Sequence, residues 1–187
     1  MLDTVKNAPV NGLDLVALGD VVDAIGKDPA QAMVGFQVTT RWLGQTRSES
    51  VVDGFDIAGK RVTRSHKIVA DEPCELLGAD SAPNPQELLM AAFNACITVG
   101  YVAGAALKGI TLESLEIATK GELDLRGFLG LSDDVPPGYE AVDYEVRIKG
   151  DGSPADFEDI HQTVMKTSPN YFNMSRPIKM NGSLRVG

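Results

Sequence analysis

The stretch "NPQELLMAAFNACITVGYVAGAAL", residues 84–107, decides the fold of this chain. Residues 88–107 carry no charge, and one cysteine, Cys96, sits among them. Such a run suits a membrane span, a helix buried in a soluble core, or a scaffold that presents a thiol. Its length would permit a span. Its composition argues against one, because it is rich in Ala and Gly, includes Asn94 and Thr98, and lacks flanking aromatic and basic anchors. The Gly100-x-x-x-Gly104 spacing allows close helix contact in soluble cores as well as in lipid. A helix apolar on every side is one buried on every side. At about 1.5 Å per residue this one measures about 35 Å, more than one small domain ordinarily surrounds. The expectation is a core helix enclosed with the help of a second subunit.

The ends of the run carry their own signals. Asn84 reads as the N-cap, Pro85 as the first helical residue, and Glu87 as the reciprocal capping partner three residues on. Lys108-Gly109 reads as the stop. Upstream, "EPCELLGADSAPNP" is a loop by its Pro, Gly and Asn content. Before it, "GFQVTTRWL" and "SESVVDGFDIAGKRVTRSHKIVAD" read as strands, the second stretch turning at Ala58-Gly59-Lys60. Residues 13–32 read as one amphipathic helix with Leu15, Leu18, Val21, Val22 and Ile25 on one side. Downstream, "TLESLEIATKGELDL" and "EAVDYEVRIKG" are strands, Ser153-Pro154 opens a second helix, and "IKMNGSLRV" reads as a closing strand. Helices and strands in that order give an α+β fold without an internal repeat or dividing linker.

Bulk composition narrows the function. The 187 residues suffice for one domain with an ample core. A net charge of -9 disfavours nucleic acid, whose phosphates require a basic face. Cys74 and Cys96 lack the spacing of a disulfide scaffold or a metal cluster, and neither His66 nor His161 has accompanying metal-ligand spacing. No metal and no cofactor are expected. The opening "MLDTVKNAPVNG" lacks a basic segment followed by an apolar one, so a cytoplasmic, reducing location is the expectation. Trp42, Phe128 and the aromatic residues of "NYF" read as packing.

The stretch "DEPCELLGADSAPNPQELLMAAFNACI" resembles the signature of the OsmC/Ohr family: an Asp-Glu-Pro turn, a Gly-containing loop, Asn-Pro, a leucine pair, an alanine-rich turn and a cysteine. The likeness extends over roughly residues 35–187, leaving residues 1–34 as an N-terminal extension. It implies an intertwined homodimer whose antiparallel sheets enclose two long central helices. It also implies a thiol peroxidase that reduces organic hydroperoxides through a reactive cysteine, with a second, resolving cysteine, an arginine and a glutamate in support.

Transferred residue by residue, that pattern is incomplete. Cys96 takes the reactive position, where a thiolate would attack the terminal peroxide oxygen and become a sulfenic acid. Taken without the motif, it reads as a small buried hydrophobe. The resolving position holds Ser168, in "KTSPNYFNMSRP", and serine forms no disulfide. The glutamate position holds Gln86, followed by Glu87. Gln86 cannot hold an arginine by charge, and Glu87 already has a capping role. The arginine is expected from "TTRWLGQTRSES", with Arg47 suiting the pattern better than Arg41. Phe93, one turn before Cys96, completes the supporting set. Cys74 stands in a loop where the family usually has no cysteine, and is a possible second thiol.

Three readings stay open at this level. One is hydroperoxide reduction through Cys96 with an external thiol as reductant. Another is the same dimeric scaffold without turnover, binding a small apolar ligand at the subunit interface. The third is a stress-associated protein without a small-molecule site.

Overall fold

The computed structural model describes residues 8–187, in two compact units divided between Ala91 and Ala92. The first begins with helix α1, Leu15–Lys27. Asp14 caps it, accepting from the Val16 and Ala17 backbone N–H groups at 2.9 and 3.0 Å. The single helix expected over residues 13–32 is in fact two elements. Asp28 precedes Pro29, and the proline ring disfavours helical backbone at the residue before it. Asp28 is accordingly extended (φ -141°, ψ 100°) and caps a separate 3-10 turn, Pro29–Ala32.

Strands β1 (Val34–Phe36), β2 (Thr39–Gly44), β3 (Arg47–Ile57) and β4 (Lys60–Ala70) form an antiparallel sheet with β3 at its centre. β1 and β2 share one edge of β3, so "GFQVTTRWL" is an interrupted strand rather than a continuous one. β4 takes the other edge. The β3–β4 hairpin turns at Ala58-Gly59, where both residues have positive φ, +50° and +73°. That backbone matches the right-handed twist of the flanking strands.

The second unit holds the core. Helix α2, Pro85–Leu107, begins in the first unit and continues into the second. Asn84 and Glu87 form the expected capping box, with reciprocal bonds of 2.8 Å each. Gly109, at φ +72°, ends the helix, and the Ile110 N–H returns to the Ala105 carbonyl. Strands β5 (Leu112–Lys120) and β6 (Asp143–Gly150) pair antiparallel, and a short helix α3 (Leu125–Phe128) lies in the loop between them. Helices α4 (Pro154–Thr167) and α5 (Pro169–Ser175) follow.

Phe93, Ile97, Tyr101 and Ala105, four residues apart, make one stripe of α2. It is buried against Leu115, Ile117, Tyr144, Val146 and Ile148 of the two-stranded sheet. Each fully buried side chain of this size contributes roughly 1.5–3 kcal/mol. The polar residues of the helix are satisfied as well. Asn94 donates to the Ile117 carbonyl at 3.3 Å and accepts from the Thr119 hydroxyl, while Thr98 donates to the Asn94 carbonyl. By length and composition alone α2 could cross a membrane. The buried stripe makes it a core helix.

Only one side of α2 is fully buried in this chain, and Leu89, Val99 and Leu107 are exposed. Two further expectations change. The segment "IKMNGSLRV" forms no strand; residues 177–187 are irregular and exposed. Alternation selects a face, but a strand also requires a neighbouring edge to take its backbone hydrogen bonds. Trp42, Phe128 and Phe172 are exposed rather than packed, whereas Tyr171 of "NYF" does pack against the core. Trp42 instead donates its indole N–H to the Gln45 carbonyl at 2.8 Å.

Candidate thiol site

Cys96 lies on α2 and is half-buried. Its neighbourhood follows from how α2 meets α4. A Cβ built on Gly100 would stand 3.0 Å from Val164 Cγ2, and one on Gly104 would stand 3.0 Å from Ile160 Cγ2. The pairs 104–160 and 100–164 therefore step by four residues in opposite directions, as in two antiparallel helices in close contact. One more step in each direction pairs 96 with 168. The Cys96 Sγ and Ser168 Oγ are 3.5 Å apart.

Ser168 occupies that point because the helix must stop there. Pro169 excludes helical backbone at residue 168, which becomes extended (φ -70°, ψ 123°). Its own N–H still closes α4 on the Val164 carbonyl at 2.8 Å. Its hydroxyl oxygen caps α5, accepting from the Tyr171 N–H at 3.3 Å. With the oxygen accepting there, the hydroxyl proton is free to point at the Cys96 sulfur. Asn170 ties the same junction to α2, donating to the Ala92 carbonyl at 2.8 Å. Ser168 is 7% exposed, so this contact is largely shielded from water.

The other residues singled out in the sequence stand as follows. Phe93 lies in the core, edge-on to Tyr144 with ring centroids 5.3 Å apart. Gln86 and Glu87 belong to the first turn of α2, and Glu87 is engaged in the capping box. Arg41 on β2 and Arg47 at the start of β3 are exposed. Cys74 is exposed and opens a 3-10 turn, Cys74–Leu76, in the loop before α2. That loop is folded around Asp71, which is 1% exposed. Its carboxylate accepts from the hydroxyls of Thr46 and Ser81, both at 2.7 Å, and from the backbone N–H groups of Glu72, Ala79 and Ser81. These donors, the Ser81 and Thr46 hydroxyls foremost, hold the Asp71 carboxyl far below the usual carboxylate range.

Sequence reasoning missed Asp71, Asn170 and the pairing of Tyr101 with His161. The Tyr101 hydroxyl is hydrogen-bonded to His161 Nδ1. Burial, assisted by the nearby Tyr144 and Glu158, pushes the Tyr101 phenol up to about 12. Residue spacing could have suggested the pair, since His161 neighbours Ile160 on α4 and Tyr101 neighbours Gly100 on α2. Asp71 opens the Asp-Glu-Pro turn of the quoted signature, but its role was hidden because its hydroxyl donors lie 25 residues before it and 10 after it.

Comparison with known proteins agrees with this architecture. The family model for OsmC-like proteins matches residues 78–182, more than half of the chain. An OsmC-like protein from Mycoplasma pneumoniae superposes with a TM-score of 0.59 at 15% identity, over 75% of this chain and 86% of that one. An OsmC-like protein of unknown function from Vibrio cholerae gives 0.54 at 15% identity, over 75% and 93%. At such identities the likeness is one of fold. No curated protein matches the sequence. The match spans the end of the loop, the cysteine helix, the second sheet and the Ser168 junction, and the chain belongs to the OsmC-like protein family.

Proposed function

We propose that this protein reduces organic hydroperoxides through Cys96, using an external thiol as reductant. The observation that carries the reading is the 3.5 Å contact between the Cys96 sulfur and the largely buried Ser168 hydroxyl. A hydroxyl donor at that distance stabilises a thiolate. The thiolate attacks the terminal oxygen of ROOH, the O–O bond breaks, and RO⁻ leaves as ROH after taking a proton. Cys96 becomes a sulfenic acid, oxidised by two electrons. An external thiol then condenses with it, releasing water, and a second thiol frees Cys96 with formation of the reductant's disulfide.

Because Ser168 cannot resolve the sulfenic acid internally, the oxidised enzyme waits for the external thiol. The cation that the family resemblance assigns to the thiolate is Arg47, with Arg41 as the alternative. The working unit in this reading is a homodimer. Its support is the exposed apolar surface of the chain, including Trp42 at 75% and Val99 at 69% exposure.

The test is consumption of cumene hydroperoxide in the presence of a monothiol, with intact mass followed on Cys96. Wild type should acquire one oxygen or one thiol adduct, and Cys96→Ser neither. No modification of Cys96 at any hydroperoxide concentration would sink the reading. A second reading then takes over, in which the scaffold binds a small apolar ligand at the subunit interface without turnover. Serine at 168 and glutamine at 86 favour it.

A further inference from the structure

A cavity of about 680 Å³ opens in the second unit, lined by residues of α2, β6 and α4. It is distinct from the thiol site. Tyr101, its α2 member, is five residues beyond Cys96, about 140° around the helix. Its lining is mixed, the apolar part being supplied by Val146 and Ile148 from β6 and Phe157 from α4. Three polar features converge on this space. The Tyr101–His161 pair lines it, with Tyr101 1% exposed and its hydroxyl hydrogen-bonded to His161 Nδ1. Glu158 stands one turn before His161 on α4, with one carboxylate oxygen held by Gln162 at 2.8 Å. Asp143 also lines it, its charge shared with Lys120 at 3.9 Å.

The charge balance selects the ligand. The lining includes two carboxylates and no lysine or arginine. It also includes Tyr144 and His161, whose ring centroids are 6.5 Å apart. An anion would meet like charge from Glu158 without a counter-ion. A neutral apolar molecule would leave the carboxylate unused. An ammonium group gains an ion pair with Glu158 and an aromatic face, while its apolar body covers Val146, Ile148 and Phe157. The volume falls within the range of small-molecule pockets.

We propose that this cavity binds a small organic ammonium ion with an aryl or alkyl body, its charge on Glu158 and its body against β6. The site is independent of Cys96 chemistry, so it stands whether or not the protein turns over hydroperoxide.

The chain has two histidines, and only His161 lines the cavity, so His66 on β4 serves as an internal reference. Full-length protein with ¹³C-labelled histidine is titrated with 2-phenylethylamine, its neutral isostere 2-phenylethanol and the anion 3-phenylpropanoate. The amine should shift the His161 signals saturably and leave His66 still. The alcohol should bind about fivefold more weakly, the scale of one partly exposed charge contact, and the carboxylate not at all. Glu158→Gln retains the hydrogen-bonding shape and should bring the amine down to the alcohol's affinity. Overturning results are an unmoved His161, equal affinities for amine and alcohol in wild type, or an unchanged amine preference in Glu158→Gln.

Discussion

Replacing Ser168 with cysteine tests the geometry of the thiol site directly. The Cys96 sulfur and the Ser168 oxygen are 3.5 Å apart, on residues separated by 72 positions. A disulfide needs about 2.05 Å between sulfurs, so about 1.5 Å must close, within reach of χ1 adjustment on the two side chains. Cross-linking a loop of that length removes denatured-state entropy equivalent to about 4 kcal/mol. Against this stands the loss of the serine cap on α5, about 1 kcal/mol. The oxidised variant should therefore gain about 3 kcal/mol, or about 6–12 °C in Tm for a chain of this size. The reduced variant should melt about 2–4 °C below wild type, since it has lost the cap and gained nothing. The experiment is done in a Cys74→Ser background with one equivalent of cumene hydroperoxide, followed by intact mass and thermal denaturation with and without dithiothreitol. The sulfenic acid should condense with the new thiol, releasing water and leaving the protein two hydrogens lighter. A variant that folds when reduced, but forms no internal disulfide under stoichiometric oxidant, would refute the placement of residue 168 beside Cys96.

Further expectations concern the packing, the loop and the cation. Gly100→Leu should destabilise the fold by about 1–3 kcal/mol through crowding of Val164, and Val164→Ala in the same chain should recover part of the loss. Asp71 has a lowered carboxyl pKa in the folded state, so its contribution is present at neutral pH and fades as pH falls below about 4, the ordinary carboxylate value. Asp71→Asn should consequently lower thermal stability at pH 7 and narrow the difference from wild type as the pH is taken toward 2, measured by circular dichroism. Arg47→Met should slow alkylation of Cys96 by iodoacetamide at pH 7 several-fold if Arg47 serves the thiolate; an unchanged rate in Arg47→Met together with a slowed one in Arg41→Met would transfer the role to Arg41. In wild type, excess hydroperoxide should convert Cys96 irreversibly to the sulfinic acid, read as a gain of two oxygens.

The sequence alone determined what depends on short-range chemistry. The capping box at Asn84 and Glu87, the stop at Gly109 and the hairpin at Ala58-Gly59 are all set by a few adjacent residues, and each was legible. The break at Pro29 was legible too, but the periodicity of residues 13–32 outweighed it. The cysteine motif located Cys96, and the family pattern pointed to residue 168. What the local sequence could not supply was the distance between them. That comes from the tertiary contact of two helices, in which glycines 100 and 104 let α4 approach and the four-residue step brings Ser168 opposite Cys96. The closing segment failed for the converse reason. Its alternation of Ile178, Met180, Leu184 and Val186 is a faithful strand pattern, but hydrogen bonds between strands are made by a neighbour. Periodicity names the face of an element; only the packed chain decides what that face meets.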